Sequence, residues 1–313
     1  MAAACRGFGR RFLQGRSGSA ERTSQVKVGV CNLCGHMEFK ALIRKDGYDV
    51  VRCMSCELVL VGNPPGDEQL ARLYSFESGY HRGLEVDAVA TAFHEREAAK
   101  NLQLLQRHAR KGRLLDIGCS TGQFLSAARQ IGWVGQGLEY SPDSSRVARE
   151  LRGLDVKTGV LSADTYPPDN FDVITLWDVI EHLPDPCGTM RHIARILAPG
   201  GLLVLKTPNV DGMYPRASLR IAKVLGFWGH AEPPGHLFQF SAKTLTLAVQ
   251  QAELEVVSVH QQRIPISYSF GAPKQWFRSA KWAAYCALFV PMAILGPVLA
   301  SGDDITLVCR KPA

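Results

Sequence analysis

Short apolar runs alternate with longer segments of mixed polarity along residues 113–209. Each run has the length of a buried strand, and the runs begin at Arg113, Trp133, Asp155, Phe171 and Leu202. Between most of them, apolar residues recur every three or four positions, which predicts helices. Strands that alternate with helices form βαβ units, so the pattern predicts an α/β fold with a Rossmann-like, mostly parallel sheet.

Residues that begin and end helices support this reading. Ser141 followed by Pro142 predicts a helix start, with the serine as N-cap, and Ser241 predicts another. Gly132 predicts the end of the first helix of the α/β unit. A final pair of strands is expected at 254–263 and 303–310, whereas 210–240 is expected to be irregular. The α/β domain is therefore predicted to span 113–313.

The net charge of +7 is unevenly distributed. Residues 1–30 carry six Arg or Lys residues and one Glu, so 6 − 1 = +5 lies there. The rest is nearly balanced, which makes a nucleic-acid partner less favoured. Residues 1–27 are expected to be a disordered basic tail on a cytoplasmic protein. Because this segment is rich in Arg and Ser and poor in acids, a mitochondrial transit peptide is the alternative.

Four of the nine cysteines form two CxxC pairs, Cys31/Cys34 and Cys53/Cys56, with 18 residues between the pairs. This spacing is typical of a zinc ribbon, in which four thiolates surround one Zn²⁺. Four thiolates leave no open ligand position, so the zinc is expected to be structural. Residues 28–62 are therefore predicted to be a zinc ribbon, and 63–112 a helical linker or cap. Two disulfides or a redox pair are the alternative.

The segment DIGCSTG, residues 116–122, lies at the end of the first strand of the α/β domain. Gly118 and Gly122 allow a tight turn and a close approach to a ligand. Glu139 ends the next strand, where a carboxylate can accept both hydroxyls of a ribose. An adenosine-bearing ligand is therefore expected.

The carboxylate of Asp116 decides between two such ligands. It would repel the pyrophosphate of a dinucleotide and attract the ammonium and sulfonium of S-adenosyl-L-methionine. The loop also departs from the GxGxxG pattern of dinucleotide sites. The residues therefore favour S-adenosylmethionine.

The ordered segments LLDIGCSTGQF, LEYS, FDVITLWDVIEHLPDP, ILAPGG and LLVLKTPN resemble class I S-adenosylmethionine-dependent methyltransferases, most closely those similar to ubiquinone-pathway O-methyltransferases. The resemblance implies a seven-stranded sheet whose last strand is antiparallel. It also implies a cofactor site that consists of Asp116, Gly118, Cys119, Gly122, Glu139, Tyr140, Leu161 and Asp178. In that site the first strand's loop holds the methionine end, Glu139 binds the ribose, and Asp178 lines the methyl-donor side.

Two sets of residues are candidates for the chemistry. His236, in a loop expected beyond the strand ends, can act as a general base, although it can equally fix the turn before the next helix. Asp178, Glu181 and His182 are spaced so that one helical turn would bring them together, and they can bind a divalent cation. In the family this segment resembles, such a cation activates a catechol hydroxyl; in other relatives the Glu-His pair is structural or lines the pocket. His182 is therefore a second candidate catalytic residue.

Residues 282–300 are 19 consecutive uncharged residues, and Lys274, Arg278 and Lys281 precede this stretch. Flanking strands in one sheet argue against a membrane span, and Pro291 and Pro297 are expected to break a continuous helix. Residues 274–300 are therefore expected either to contact a membrane peripherally or to form a lid or dimer surface. The stretches 210–240 and 264–302 are expected on the acceptor side.

Methyl transfer from S-adenosylmethionine to a small molecule is the leading functional hypothesis. O-methylation of a quinone or phenol, a lipid-linked intermediate or a sugar is favoured. An RNA methyltransferase that uses the ribbon to read RNA is the alternative, although residues 28–62 carry few basic residues interleaved with aromatics. A non-catalytic protein that retains the fold is a third hypothesis.

Overall fold

The computed structural model describes residues 28–73, 88–225 and 228–313. The predicted basic tail and its alternative as a transit peptide lie outside these residues. The strands are β1 Phe39–Lys45, β2 Tyr48–Cys53, β3 Val59–Val61, β4 Arg113–Ile117, β5 Val134–Glu139, β6 Asp155–Thr158, β7 Phe171–Trp177, β8 Leu197–Pro208, β9 Phe238–Gln239, β10 Glu255–Gln262 and β11 Asp304–Arg310. The helices are α1 Asp67–Leu73, α2 Ala88–His108, α3 Gln123–Gln130, α4 Pro142–Glu150, α5 Pro186–Ile196, α6 Met213–Leu225, α7 Ala242–Gln251, α8 Ile266–Phe270 and α9 Ala280–Leu295.

A seven-stranded sheet forms the centre of the α/β domain, in the order β10-β11-β8-β7-β4-β5-β6. The strands from β8 to β6 run parallel, and β11 runs antiparallel to both of its neighbours. This confirms the predicted fold and the antiparallel last strand. The chain reverses direction across the sheet between β4 and β7, and ligands of open α/β sheets bind at the carboxyl ends of strands at such a point.

The predicted helix starts are present. The Ser141 side chain accepts a hydrogen bond from the Ser144 amide at 3.3 Å, and Ser241 accepts one from Thr244 at 3.2 Å. Each bond satisfies an amide that the helix leaves without an internal partner.

The prediction that 210–240 is irregular was wrong for its first half. Helix α6 occupies Met213–Leu225 and buries Tyr214 and Ala222. Pro215 lies in the first turn of α6, where a missing amide hydrogen costs no helical hydrogen bond. Pro215 therefore made the sequence resemble a loop, although a proline in the first turn is compatible with a helix.

Residues 28–62, here called the cysteine module, form a second sheet that also includes one strand of the α/β domain. Its sheet has the order β1-β2-β3-β9, and β9 comes from the loop that precedes α7. Leu60 of β3 pairs with Phe238 of β9, and the Val61 amide donates to Leu237 O at 2.9 Å. The two parts also share one apolar core, in which Leu33 packs with residues of the central sheet.

Residues 264–302 leave the sheet after β10 and return to it in β11. Helix α9 continues through Pro291, so the prediction that this proline breaks the helix was wrong; Gly296 and Pro297 follow its last residue. Tyr285 and Phe289 of α9 pack against Tyr214 of α6. No helix among the described residues has both the length and the apolarity of a membrane span.

Candidate functional site

The loop after β4 has a backbone conformation that requires glycine at two positions. Gly118 and Gly122 have φ of 72° and 86°, a region that L side chains rarely adopt. A Cβ at Gly118 would collide with Val179, and one at Gly122 would collide with Leu154. The Gly118 amide donates to Leu138 O at 2.7 Å, which ties the loop to β5. The loop therefore brings bare backbone to the carboxyl edge of the sheet, where a ligand can approach closely.

The carboxylate of Glu139 joins this loop to the start of α4. Its two oxygens accept hydrogen bonds from the Ser120 and Ser141 amides, each at 2.8 Å. Glu139 is only 6% exposed, and its burial raises the carboxyl pKa, while the two amide donors oppose the shift. Its oxygens retain lone pairs that can accept the two hydroxyls of a ribose.

Asp116, on β4, lies just before the same loop and is buried. Its Oδ1 accepts a hydrogen bond from the Thr175 hydroxyl of β7 at 2.7 Å. Burial raises the pKa of Asp116 to about 7, and Thr175 opposes the shift. A cationic ligand group nearby would stabilise the ionised form and lower this pKa.

The remaining predicted cofactor residues are placed differently. The Cys119 side chain packs in the core near Gly137, so only its backbone is left to contact a ligand. Tyr140 is 45% exposed after β5, and Leu161 packs partly against the core. Their place beside an adenine remains a prediction.

Asp178 forms an ion pair that the sequence analysis missed. Its Oδ2 lies 2.8 Å from Nζ of Lys206, a buried lysine near the end of β8. Asp304 lies on the other side of Lys206, at 3.8 Å. The two carboxylates raise the pKa of Lys206 well above its usual value, against the effect of burial, so the lysine is charged. Lysine inside an otherwise apolar strand was a signal in the sequence.

Glu181 and His182 come together with His236 rather than with Asp178. The possible ligand atoms of these three side chains lie within 4.8 Å of one another. Glu181 is 1% exposed, and its Oε2 accepts a hydrogen bond from the Thr207 hydroxyl at 2.9 Å. Its Oε1 is buried and has no hydrogen-bond partner among the described residues. The predicted cation set of Asp178, Glu181 and His182 remains a prediction, since Asp178 is paired with Lys206.

The two histidines differ in their hydrogen bonds. His182 Nδ1 donates to Gly235 O at 2.8 Å, which fixes the tautomer and leaves Nε2 as its basic nitrogen. His236 Nδ1 is buried, and no hydrogen-bond partner for it lies within the part of the chain that the structure describes. The centres of the His236 and His182 rings lie 4.7 Å apart. Burial, then the charges of His182, His230 and Lys45, lowers the pKa of His236 well below its usual value. His236 is therefore neutral near pH 7.

Two further residues near this cluster had no sequence signal. Glu232 Oε2 lies 4.0 Å from His236 Nε2. The charge of Glu232, then burial and the carboxyls of Asp178 and Glu181, raises the pKa of Tyr268 on α8. A tyrosine in a loop-rich segment cannot be distinguished from other surface tyrosines by sequence alone.

The side chains of the four predicted zinc ligands lie close together in the cysteine module. Their sulfurs lie within 4.8 Å of one another, with Cys31–Cys56 and Cys34–Cys53 separations of 3.5 Å. A tetrahedral zinc site with Zn–S bonds of about 2.3 Å needs S–S distances of about 3.8 Å. The cysteines form no disulfide. The donor set therefore fits one Zn²⁺.

The two cysteine turns have the same backbone structure. Gly35 N donates to Cys31 O at 2.8 Å, and Glu57 N donates to Cys53 O at 3.2 Å. Gly35 and Glu57 have matching φ values of 73° and 71°. Two turns of one geometry can present thiolates symmetrically to a shared metal.

Comparisons with known proteins give one family. The sequence model of a protein family described as a methyltransferase domain matches residues 90–259. Ubiquinone biosynthesis O-methyltransferase of Thiobacillus denitrificans is 33% identical over 103 residues, which cover 31% of this chain and 44% of that protein. The enzyme of that name from Xanthomonas oryzae is 35% identical over 104 residues, covering 31% and 43%. The chain thus spans less than half the length of these curated relatives.

The fold is similar to that of a solved methyltransferase complex. It is the complex between the Haloferax volcanii Trm112 methyltransferase activator and a methyltransferase, with a TM-score of 0.52 and 20% identity. The match covers 78% of this chain and 98% of that chain. At this identity the likeness extends to the fold alone.

Proposed function

Since the chain belongs to the family of S-adenosylmethionine-dependent methyltransferases with the methyltransferase domain, we propose that it transfers a methyl group from S-adenosylmethionine to a hydroxyl oxygen of a small acceptor. A phenol of the quinone type is the acceptor we favour. The similarity of part of this chain to ubiquinone biosynthesis O-methyltransferases supports an oxygen acceptor.

The observation that carries the proposal is the position of Glu139. Its carboxylate accepts hydrogen bonds from the Ser120 amide of the β4 loop and from the Ser141 amide at the start of α4. The group that would bind the ribose hydroxyls is therefore in position before any ligand binds. Asp116 lies beside this loop and complements a cationic methionine end. Bound S-adenosylmethionine supplies an electrophilic methyl group on a sulfonium.

The acceptor side is the cluster of His182, His236 and Glu232. With S-adenosylmethionine bound, a bond would form between the hydroxyl oxygen and the methyl carbon while the carbon–sulfur bond breaks, and the sulfur would keep that bond's electron pair in S-adenosylhomocysteine. The hydroxyl proton goes to the neutral imidazole of His236, and the Glu232 carboxylate stabilises the resulting imidazolium. Since a low pKa makes His236 a weak base, this role suits an acidic phenol better than an alcohol.

A second candidate mechanism uses a divalent cation. Glu181, His182 and His236 offer one carboxylate and two imidazoles within 4.8 Å, a set suited to a transition-metal ion. In residues 28–73, 88–225 and 228–313, the buried Glu181 Oε1 meets no hydrogen-bond donor, and it could instead bind a cation. Such a cation would lower the pKa of a bound hydroxyl. Zn²⁺ at the four cysteines, by contrast, is proposed to be purely structural.

The test is a transfer assay with methyl-labelled S-adenosylmethionine and a catechol-type phenol, followed by extraction of the label. We expect label on oxygen, and we expect His236→Asn to reduce the rate by about 10²–10⁴-fold while S-adenosylmethionine binding is retained. His192→Asn, on α5, is the matched control. The same assay is repeated with cell extract in place of the phenol. Label in a nuclease-sensitive polymer would then favour the RNA hypothesis. S-adenosylmethionine binding without transfer to the phenol or to any component of the extract would favour a non-catalytic protein.

The cation is tested on the same assay. A metal chelator too weak to remove zinc from four thiolates should abolish transfer if the cation is required, and added Mn²⁺ should restore it. Unchanged activity with chelator would leave His236 as the direct base.

A further inference from the structure

The outer face of α9 is apolar where a surface helix is normally polar. Positions 281, 284, 288, 291, 295 and 298 are spaced alternately by three and four residues, so they form one stripe along the helix and the turn that follows it. All six are exposed, and Lys281 alone is charged. Leu288, Leu295 and Val298 are 48%, 51% and 80% exposed. An apolar stripe of this length on a surface marks an interaction site.

The orientation of α9 is fixed by its opposite face. Tyr285, Cys286, Phe289 and Val290 are buried against α6 and α8. The rings of Tyr285 and Phe289 lie 4.6 Å apart, and both contact the ring of Tyr214. The stripe is therefore exposed because the helix already buries its other side.

Positive charge surrounds the amino end of the stripe. Residues 264–302 contain Lys274, Arg278 and Lys281 and no acidic residue, which gives +3. The three cations are exposed. The Arg278 guanidinium lies 4.3 Å from the centre of the Trp282 ring, which holds it near the first turn of α9. Phe277, beside it, is 80% exposed.

We propose that this surface, residues 274–299, docks onto an anionic lipid bilayer. A bilayer supplies both features that the surface matches, since acidic headgroups attract the cations and the acyl boundary accepts the apolar stripe. Two other partners for this surface would be a second copy of the chain and the chain's own residues 1–30. A second copy would place its net charge of +3 against the same charge, and residues 1–30 carry a net charge of +5. Both of these occupants are disfavoured by like charge.

The position of the surface in the fold fits docking in the plane of the membrane. β10 and β11, at either end of residues 264–302, pair with each other, so both ends return to one sheet. Tyr268, which is close to the carboxyls of the acceptor side, belongs to the same segment. The bilayer surface would thus lie near the acceptor side, although docking does not depend on methyl transfer.

The experiment is flotation of the full chain with phosphatidylcholine vesicles, with and without phosphatidylglycerol, at low salt. We expect flotation with the anionic vesicles and its loss in high salt. Lys274→Gln with Lys281→Gln should weaken binding by about tenfold or more, since each cation near an anionic surface contributes severalfold. A chain that stays unbound with anionic vesicles at low salt would overturn the proposal.

A second variant tests the stripe itself. Leu288→Glu with Leu295→Glu should abolish flotation, and both positions are exposed, so the fold and elution volume should be preserved. Val134→Glu with Leu151→Glu is the matched control, because these residues are 71% and 76% exposed on the α/β domain. Flotation that survives the Leu288/Leu295 change would refute the stripe's role. A dimer in light scattering that the same change converts to monomer would assign the stripe to a second copy instead.

Discussion

Lys206 holds Asp178 through both its side chain and its backbone. Nζ of Lys206 lies 2.8 Å from Asp178 Oδ2, and Lys206 O accepts a hydrogen bond from the Asp178 amide at 2.9 Å. Asp178 has φ of 57°, a left-handed conformation that costs a residue with a side chain about 1 kcal/mol or more. The interaction with β8 therefore fixes the Asp178 carboxylate, on a strained backbone, directly after the end of β7.

Replacing this lysine should destabilise the protein in a pH-dependent way. Lys206→Met leaves Asp178 and the buried Asp304 without their shared cation, at a cost of roughly 2–3 kcal/mol; full burial would cost more, but Asp178 is 46% exposed. Burial raises the pKa of Asp304 to about 8. Below that pH the carboxyl can hold a proton, so the loss should be smaller at pH 6 than at pH 9.

Urea unfolding of both proteins at the two pH values measures this difference. Lys40→Met on β1 is the control, because Lys40 is exposed and its loss should change the free energy of unfolding by less than about 0.5 kcal/mol. An equal loss at pH 6 and pH 9 would show that Asp304 does not depend on Lys206.

Glu139→Gln should weaken S-adenosylmethionine binding by about tenfold to a hundredfold. A glutamine offers one acceptor oxygen where the carboxylate offers two, so one of the Ser120 and Ser141 amides loses its bond. The ribose also loses an acceptor. Isothermal titration calorimetry measures the change, and Glu150→Gln, at an exposed position of α4, should bind as the parent does. Unaltered affinity in Glu139→Gln would place the ribose elsewhere.

The affinity for S-adenosylmethionine should rise with pH through about 7. Burial raises the pKa of Asp116 to about 7, so the free protein carries a neutral carboxyl below this value and a carboxylate above it. The cationic ligand favours the carboxylate, and binding at pH 6 must therefore release a proton. Titrations from pH 6 to 8 in buffers of different ionisation enthalpy measure both effects.

Asp116→Asn should remove this dependence and bind weakly at every pH. The amide still accepts the Thr175 hydroxyl, so the loop should keep its shape. A pH dependence that persists in Asp116→Asn would assign the proton to another group.

The sequence predicted the parts of the molecule that follow local rules. Strand and helix alternation, the caps at Ser141 and Ser241 and the glycines at 118 and 122 depend on neighbouring residues, and the structure agrees with them. The four cysteines converge because their spacing already specifies two equivalent turns.

Contacts between segments that are distant in the sequence could not be predicted from neighbouring residues. Nothing local to His236 says that it meets His182, because the contact depends on how residues 228–239 return to the ribbon. The helix α6 was predicted to be irregular for another reason, since prolines and glycines near its ends are typical of a loop. Asp178 was placed correctly after β7, but its partner on β8 becomes visible only when the two strands are aligned.

Removal of zinc should loosen the loop that carries His236 while the cofactor pocket stays intact. Lys45 of β1 donates to Trp228 O at 3.3 Å and to Ala231 O at 2.5 Å, and β3 pairs with β9 just after His236. These contacts exist only while the ribbon is folded, and a module this small depends on its metal. The β4 loop and Glu139, in contrast, are held by the central sheet.

We therefore expect Cys34→Ser, or a strong chelator, to remove one zinc per chain and to speed hydrogen exchange of the amides at 236–239. S-adenosylmethionine affinity should be retained, and methyl transfer should fall with the loosened loop. Ser55→Ala, an exposed change between the second pair of cysteines, is the control and should keep zinc and slow exchange. If the metal-free chain exchanged these amides as slowly as the parent, the ribbon's fold would not depend on zinc. If exchange rose but affinity also fell, the loop would belong to the cofactor site as well.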